Sequence, residues 1–236
     1  MIYVVSGPTG VGKTKLSIML AKKLNAIIIN ADSRQVYQEL NIGTAKIKEK
    51  EMEGIAHYLL SVRSIDDNFN AYEYQKIGRK ILEEYKDKNI VIVGGTGLYI
   101  KTLLYEYKFD EECSTSNILY PHIMIGLTRE REKLYKSINN RVDEMIKSGL
   151  IEEAKALYPK KQTSNVLNAT IGYKELFEYF DGIITKEEAI EKIKQNSRHY
   201  AKRQFTFFNN QFENVKWYDV DKISYEKIVD SIIVNK

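Results

Sequence analysis

The sequence has little of what marks a secreted or membrane-spanning protein. Its 236 residues include one cysteine, Cys113, and no apolar run approaches the roughly 20 residues that cross a bilayer. A single cysteine excludes an internal disulfide framework and any metal site built from cysteines alone. The apolar segment 2–5 is too short to be the hydrophobic part of a signal peptide. We therefore expect a cytoplasmic protein that does not contact membranes.

Repeats and low-complexity tracts are also missing, and the apolar and charged contents are those of an ordinary globular protein. A chain of this length buries a full core without disulfides or structural metals. We expect one α/β domain over residues 1–236. The net charge of +4 is by itself weak evidence for a nucleic-acid partner, because the distribution of charge matters more.

Apolar runs alternate along the chain with stretches in which apolar residues recur at helical spacing. This alternation predicts a parallel sheet covered by helices on both faces, with a C-terminal helical part. The predicted strands are 2–6, 26–31, 55–60, 89–93, 122–127 and 214–218. The predicted helices are 12–24, 71–85, 98–104, 129–147, 150–157, 175–180, 186–208 and 225–233. Residues 33–54 are predicted as loop and short helix, and residues 105–120 as a loop.

The most specific pattern lies between the first predicted strand and the first predicted helix. Strand, glycine-rich loop and helix in this order form a P-loop, whose backbone N–H groups and helix N-terminus surround phosphate oxygens. Lys13 adds a positive charge, and the Thr14 hydroxyl can hold Mg²⁺. The pattern predicts a P-loop NTPase-like fold that binds a phosphate-bearing small molecule. Its residues are Gly7, Pro8, Thr9, Gly10, Val11, Gly12, Lys13 and Thr14.

Two further loops are predicted at the carboxyl ends of strands, where ligands bind in parallel sheets. Asp32 follows the second predicted strand and should face the same crevice as Lys13. Its carboxylate could act as a base or hold an acceptor, or it could simply cap a short helix. The loop 94–97 reads Gly-Gly-Thr-Gly, which is either an ordinary turn or a place of close backbone approach. No aspartate ends the strand 89–93 to hold Mg²⁺, which weakens an ATPase or GTPase interpretation.

The segment 192–212 combines cations with aromatic residues, and no acidic residue lies between Glu191 and Glu213. It is either a helix with an aromatic core face and a basic solvent face, or a surface that contacts nucleic-acid phosphates. Three arginines predicted on the helix 129–147 have acidic neighbours, so pairing or solvation is their ordinary role. The cations of the segment are Lys192, Lys194, Arg198, Lys202 and Arg203, and the helix arginines are Arg129, Arg131 and Arg141.

Taken together, these patterns resemble one family, the tRNA dimethylallyltransferases, also called tRNA isopentenyltransferases. Beside the P-loop, the matching blocks occur in family order and cover most of the chain. The block that contains Asp32 is far more specific than the P-loop. The blocks are 30–37 (NADSRQVY), 41–46 (NIGTAK), 57–60 (HYLL), 94–99 (GGTGLY), 140–145 (NRVDEM), 171–175 (IGYKE) and 201–204 (AKRQ).

The resemblance implies that dimethylallyl diphosphate is the donor and that N6 of an adenosine next to the tRNA anticodon is the acceptor. The P-loop would then hold the diphosphate leaving group, with Mg²⁺ at Thr14, while Arg141 offsets its charge. Asp32 would take the proton of the amine, and Thr96 would orient the amine or a diphosphate oxygen. A monomer that binds the tRNA anticodon stem-loop is expected. The expected tRNA contacts are Asp32, Ser33, Arg34, Gln35, Thr96, Arg198, Lys202 and Arg203.

The sequence departs from the family pattern in a helical insertion that grips the anticodon stem-loop in relatives. Only residues 105–120 span its expected place, so the insertion is largely absent. Ser137 stands where the family often has arginine, and Phe207 stands where it commonly has tryptophan. Three alternatives to tRNA prenylation therefore stay open. They are prenylation of a free adenine nucleotide, a small P-loop kinase, and a tRNA-binding module without turnover.

Overall fold

The computed structural model describes residues 1–109 and 117–234. Cys113 and the middle of the predicted loop 105–120 therefore lie outside the described residues. Over the two described ranges, none of the helices combines the length and the apolar character that crossing a membrane requires.

Six strands form one parallel sheet in the order β3-β2-β4-β1-β5-β6. The central strands are continuous apolar runs that are buried on both faces, as the sequence predicts. The predicted strand 55–60 keeps only two residues, because Leu59 (φ 60°) and Ser61 (φ 53°) leave the extended conformation. The strands are β1 Ile2–Ser6, β2 Ile27–Asn30, β3 His57–Tyr58, β4 Ile90–Val93, β5 His122–Thr128 and β6 Lys216–Asp219.

The helices follow the predicted ones within a few residues, with two differences. The predicted helix 129–147 begins at Arg131, and Arg129 lies before it, where its Nε is 3.0 Å from Oδ1 of Asp221. A short helix absent from the prediction is capped by the Ser164 side chain, which accepts from the Leu167 N–H. The helices are α1 Lys13–Leu24, α2 Glu49–Met52, α3 Ala71–Glu84, α4 Gly97–Leu104, α5 Arg131–Lys147, α6 Leu150–Leu157, α7 Asn165–Ala169, α8 Tyr173–Phe180, α9 Lys186–Gln211 and α10 Tyr225–Val234.

Apolar side chains cover both faces of the sheet. One core packs the sheet against α1 and α10, and the other packs it against α3, α4 and the apolar side of α9. The helices α5 and α8 pack against α9, and α6 packs against α5 and α8; together they form the predicted C-terminal helical part. The predicted α/β fold with a parallel sheet covered on both faces is confirmed.

The sheet order brings three loops together at one edge. The P-loop follows β1, Asp32 follows β2, and the loop 94–97 follows β4, which lies between those two strands. The end of β2 is fixed by buried hydrogen bonds: the Tyr74 hydroxyl donates to the Asn30 carbonyl at 3.0 Å, and Asn30 Nδ2 donates to the Leu59 carbonyl at 2.9 Å. Asp32, two residues after the end of β2, therefore enters the site from a rigid base.

Candidate active site

Contacts within the protein fix the conformation of the P-loop. Gly12 caps α1 with φ of 103°, and a Cβ atom there would lie 2.0 Å from the Tyr225 hydroxyl, so only glycine fits. Lys13 Nζ donates to the carbonyls of Gly7 and Pro8 at 2.9 Å each. The lysine is thus turned back over its own loop, with its charge inside the curve of the backbone. Val11 is buried, so only its backbone faces the loop.

Lys13 loses its proton, and with it its positive charge, more easily than an ordinary lysine. Burial of the ammonium group, together with the nearby Arg141 guanidinium, lowers the pKa of Lys13 to about 7, although the Asp32 carboxylate acts in the opposite direction. Burial likewise lowers the pKa of Arg141, again opposed by Asp32. Two cations and one carboxylate therefore share a confined space, and an added anion would stabilise both cations.

Asp32 lies in the crevice with Lys13, as its place after β2 predicts. Its Oδ1 accepts from the Arg34 N–H at 2.9 Å, which holds a turn rather than the start of a helix. Among the described residues, its Oδ2 accepts no hydrogen bond. The helix-capping interpretation of Asp32 is therefore wrong: one oxygen holds a turn, and the other is available to a ligand.

Thr96 and Tyr200 stand next to Asp32. Thr96 Oγ1 accepts from the Ser33 N–H at 2.9 Å, so this hydroxyl joins the loop after β4 to the loop after β2. The Tyr200 hydroxyl lies within hydrogen-bonding reach of the Thr96 and Gln204 side chains. Burial and the Asp32 charge raise the pKa of Tyr200 to about 12, so this phenol stays neutral.

Gln204 joins two loops of the site, and the sequence analysis did not single it out. Its Oε1 accepts from the Thr9 N–H at 2.8 Å, and its Nε2 donates to the Gly95 carbonyl at 3.0 Å. A Cβ atom on Gly95 would lie 1.9 Å from Gln204 Nε2. The close approach predicted for the loop 94–97 therefore exists, and its partner here is the chain's own helix α9. A polar residue at helical spacing between buried Ala201 and Phe208 is the signal that could have identified it.

Arg141 reaches the site from α5, where its Nη2 donates to the Thr44 carbonyl at 3.1 Å. Gln35 Nε2 donates to the same carbonyl at 3.1 Å. The side chain of Gln35 thus lines the P-loop side of the crevice, away from Ser33 and Arg34.

Two cavities meet in this region. One of about 110 Å³ contains the P-loop with Lys13 and Thr14, and the other of about 280 Å³ opens beside Ser33 and Arg34. The larger cavity has an apolar wall along α5, formed by side chains such as Val142. The residues that line both cavities are Thr9, Asp32, Arg141 and Tyr200. The arrangement offers an anion site at one end, a partly apolar space at the other, and a carboxylate at the junction.

The basic segment divides into paired and unpaired cations. Lys192 pairs with Glu178 and Lys194 with Asp143, each at 2.7 Å. Arg198 Nη1 donates to Asn139 Oδ1 at 2.8 Å, and its Nη2 is 3.3 Å from Glu191. These three therefore fit the interpretation of a solvated face with local ion pairs.

Lys202 and Arg203 differ from the other cations of the segment. Across the described ranges neither forms an ion pair with an acidic side chain. The Arg203 guanidinium lies 5.8 Å from the centre of the Tyr200 ring, at the mouth of the larger cavity. Both residues also line a shallow groove of about 540 Å³ on α9 with Thr206 and Phe207. The interpretation of the segment 192–212 as a nucleic-acid surface therefore rests on Lys202 and Arg203.

Comparisons with known proteins point to one family. The family model described as IPP transferase matches residues 35–119 and 108–211. A tRNA dimethylallyltransferase of Anoxybacillus flavithermus is 41% identical over 295 aligned positions, which cover 98% of this chain and 94% of the relative. This aligned length exceeds the 236 residues of the chain, so the relative carries residues without a counterpart here.

Solved structures of similar proteins superpose on nearly the whole chain. The crystal structure of a tRNA isopentenylpyrophosphate transferase from Staphylococcus epidermidis superposes with a TM-score of 0.91 at 35% identity, covering 99% of this chain and 97% of that one. A eukaryotic dimethylallyltransferase acting on tRNA shares the fold, with a TM-score of 0.87 at 22% identity over 100% of this chain and 80% of its own. With its P-loop, its Asp32 block and relatives that match nearly its whole length, this chain belongs to the IPP transferase family.

Proposed function

We propose that this protein transfers a dimethylallyl group from dimethylallyl diphosphate to N6 of an adenosine next to the anticodon in tRNA. The observation that carries the proposal is the free Oδ2 of Asp32 at the junction of an anion-binding loop and a second, partly apolar cavity. The similarity of this chain to tRNA dimethylallyltransferases supports this function over a kinase or a binding module without turnover.

The donor side accounts for the leaving group. Breaking the bond between C1 of the dimethylallyl group and the diphosphate places negative charge on the departing oxygen. Lys13 and Arg141 both line the P-loop cavity, where their positive charges can stabilise this negative charge. A bound diphosphate would relieve the repulsion between Lys13 and Arg141. These two cations therefore favour a diphosphate over a neutral ligand.

Mg²⁺ fits this site as a partner of the diphosphate. Thr14 is exposed and lines the smaller cavity, and in the described part of the chain its hydroxyl makes no hydrogen bond. The described residues contain no cluster of histidine, cysteine and carboxylate side chains that would hold a metal by themselves. Thr14, diphosphate oxygens and water would therefore hold the ion, as is usual for Mg²⁺. When bound, the ion would add positive charge beside the leaving group.

The acceptor side accounts for the new bond. The adenine amine is a weak nucleophile because its lone pair is delocalised into the ring. As N6 bonds to C1 and the diphosphate departs, N6 must lose a proton, which Asp32 Oδ2 can take. Thr96 and the neutral Tyr200 phenol would orient the amine beside that carboxylate. The larger cavity would hold the base, with the apolar wall along α5 against its faces.

The RNA would approach on the side of the larger cavity. Ser33 and Arg34 line its entrance, and Arg203 and Lys202 extend a cationic surface along α9. A single-stranded loop is the cheapest place from which to turn a base out of its stack. Arg198 is engaged within the protein, and Gln35 faces the donor, so we assign the main RNA contacts to Arg34, Lys202 and Arg203. The proposal includes a monomeric, cytoplasmic enzyme.

The direct test is an assay with radiolabelled dimethylallyl diphosphate and either tRNA or AMP. We expect label in tRNA, and we expect Asp32→Asn to lower kcat by about 100-fold or more while leaving donor affinity within a few-fold. Asp87→Asn, the same change at an exposed turn before β4, is the matched control. Label in AMP alone, phosphate release from ATP without prenyl transfer, or RNA binding without product would each contradict the proposal.

Donor binding should depend on pH through Lys13. Protonated Lys13 attracts the diphosphate, and its pKa of about 7 means that the free site loses this charge as the pH rises through neutrality. Binding above pH 7 must therefore take up a proton, and pyrophosphate affinity should fall by up to about tenfold per pH unit beyond that of the Lys13→Arg variant. Calorimetry from pH 6 to 9 on both proteins measures this difference. Equal slopes would show that Lys13 stays charged in the free protein.

The unpaired cations should govern the salt dependence of RNA binding. Replacing Arg203 by alanine is expected to weaken tRNA binding and to make the slope of log affinity against log salt shallower by about 1. Lys192→Ala removes an equal charge from the same helix, but from a cation paired with Glu178. Filter binding at several salt concentrations compares the two. A slope unchanged in Arg203→Ala, or changed equally in both variants, would make the segment an ordinary solvated face.

A further inference from the structure

Glu153 of α6 is surrounded by donors that belong to a loop near the site. Its carboxylate accepts from the backbone N–H groups of Asn41 (3.1 Å), Ile42 (2.9 Å) and Gly43 (3.0 Å). The Tyr173 hydroxyl adds a fourth donor at 2.6 Å. Three successive amides directed at one point form an anion-binding concavity, which here is filled by a side chain of the same protein.

The packing around this carboxylate leaves the loop no alternative position. Tyr173 is fully buried, and a Cβ atom on Gly43 would lie 2.6 Å from its ring. Charge-assisted hydrogen bonds are stronger than neutral ones, and losing the carboxylate would leave the partly buried N–H groups of Ile42 and Gly43 unsatisfied. Glu153 and Tyr173 thus fix the position of the loop 41–43, through hydrogen bonds to its N–H groups and packing against Gly43.

The next residue of this loop contacts the active site. The Thr44 carbonyl accepts from Arg141 Nη2 and from Gln35 Nε2, both at 3.1 Å. The Thr44 hydroxyl donates to the Leu40 carbonyl at 2.8 Å, and this hydrogen bond joins the two ends of the loop. The position of the Arg141 guanidinium therefore depends on a carbonyl whose loop is fixed by Glu153.

We propose that Glu153 is a positioning residue for the diphosphate, acting through the loop 41–44 on Arg141. The inference rests on the proposed function, in which Arg141 offsets the charge of the departing diphosphate. Glu153 itself lines neither of the two cavities of the site. A displacement of about 1 Å at a residue that stabilises charge can cost on the order of 100-fold in rate, so a remote carboxylate can matter to the chemistry.

The informative change is Glu153→Gln, because it keeps the shape of the side chain and replaces one acceptor oxygen by an N–H₂ group. That group would face backbone N–H donors, so the loop must move. We expect pyrophosphate to bind about tenfold more weakly and kcat to fall by about 10- to 100-fold. The KM for tRNA is also expected to rise, because Gly43 and Thr44 of the loop line the larger cavity. Glu152→Gln, the same change on an exposed neighbour in α6, should leave all three values unchanged.

A double-mutant cycle separates positioning from general stabilisation. Arg141→Ala, Glu153→Gln and the double variant are compared for pyrophosphate affinity by calorimetry, with thermal unfolding measured on each. If Glu153 acts through Arg141, Glu153→Gln has less than about a twofold effect once Arg141 is absent. Additive losses, or an affinity unchanged in Glu153→Gln, would overturn the inference.

Two further arms keep the test decisive. Should Glu153→Gln fail to fold, Tyr173→Phe removes one donor from the same carboxylate and should weaken pyrophosphate binding in the same direction, though less. An unchanged affinity there would count against the inference. If the wild-type protein prenylates no RNA, the proposed function fails, whereas pyrophosphate binding still decides whether Glu153 positions Arg141.

Discussion

The site depends on a fixed distance between the P-loop and the Asp32 carboxylate. These two features follow β1 and β2, which are not neighbours, because β4 lies between them. The loop after β4 therefore fills the gap and is tied to both sides. Thr96 Oγ1 accepts from Ser33, and Gln204 links Gly95 to the Thr9 amide. Three hydrogen bonds thus set where a leaving group and a base can meet, with the rigid sheet beneath them.

The balance of charge is the second constraint. Lys13 and Arg141 repel each other in a space from which much of the water is excluded, and the single carboxylate of Asp32 compensates only part of this. A diphosphate would complete the balance, and its departure as pyrophosphate would be stabilised by the same groups.

Much of this could be predicted from the sequence, because the patterns involved are local. The buried strands are continuous apolar runs, the P-loop is a contiguous motif, and Asp32 follows β2 in a parallel sheet. Gln204 and Glu153 could not be placed in the same way. The backbone N–H groups of Thr9 and Ile42, from which they accept, are 195 and 111 residues away along the chain, so only the folded arrangement of helices brings them together. The loop 94–97 shows the same limit, because its glycines predict a close approach without identifying α9 as the partner.

The central claim is that the P-loop holds an allylic diphosphate while Asp32 faces its reactive carbon. A crystal structure with the non-hydrolysable thiolo analogue of dimethylallyl diphosphate measures this directly. The account predicts diphosphate oxygens on the P-loop amides, Lys13 and Arg141, with C1 at the junction and Asp32 Oδ2 directed towards the larger cavity. A diphosphate bound outside the P-loop, or a bound donor whose C1 is shielded from Asp32, would contradict it.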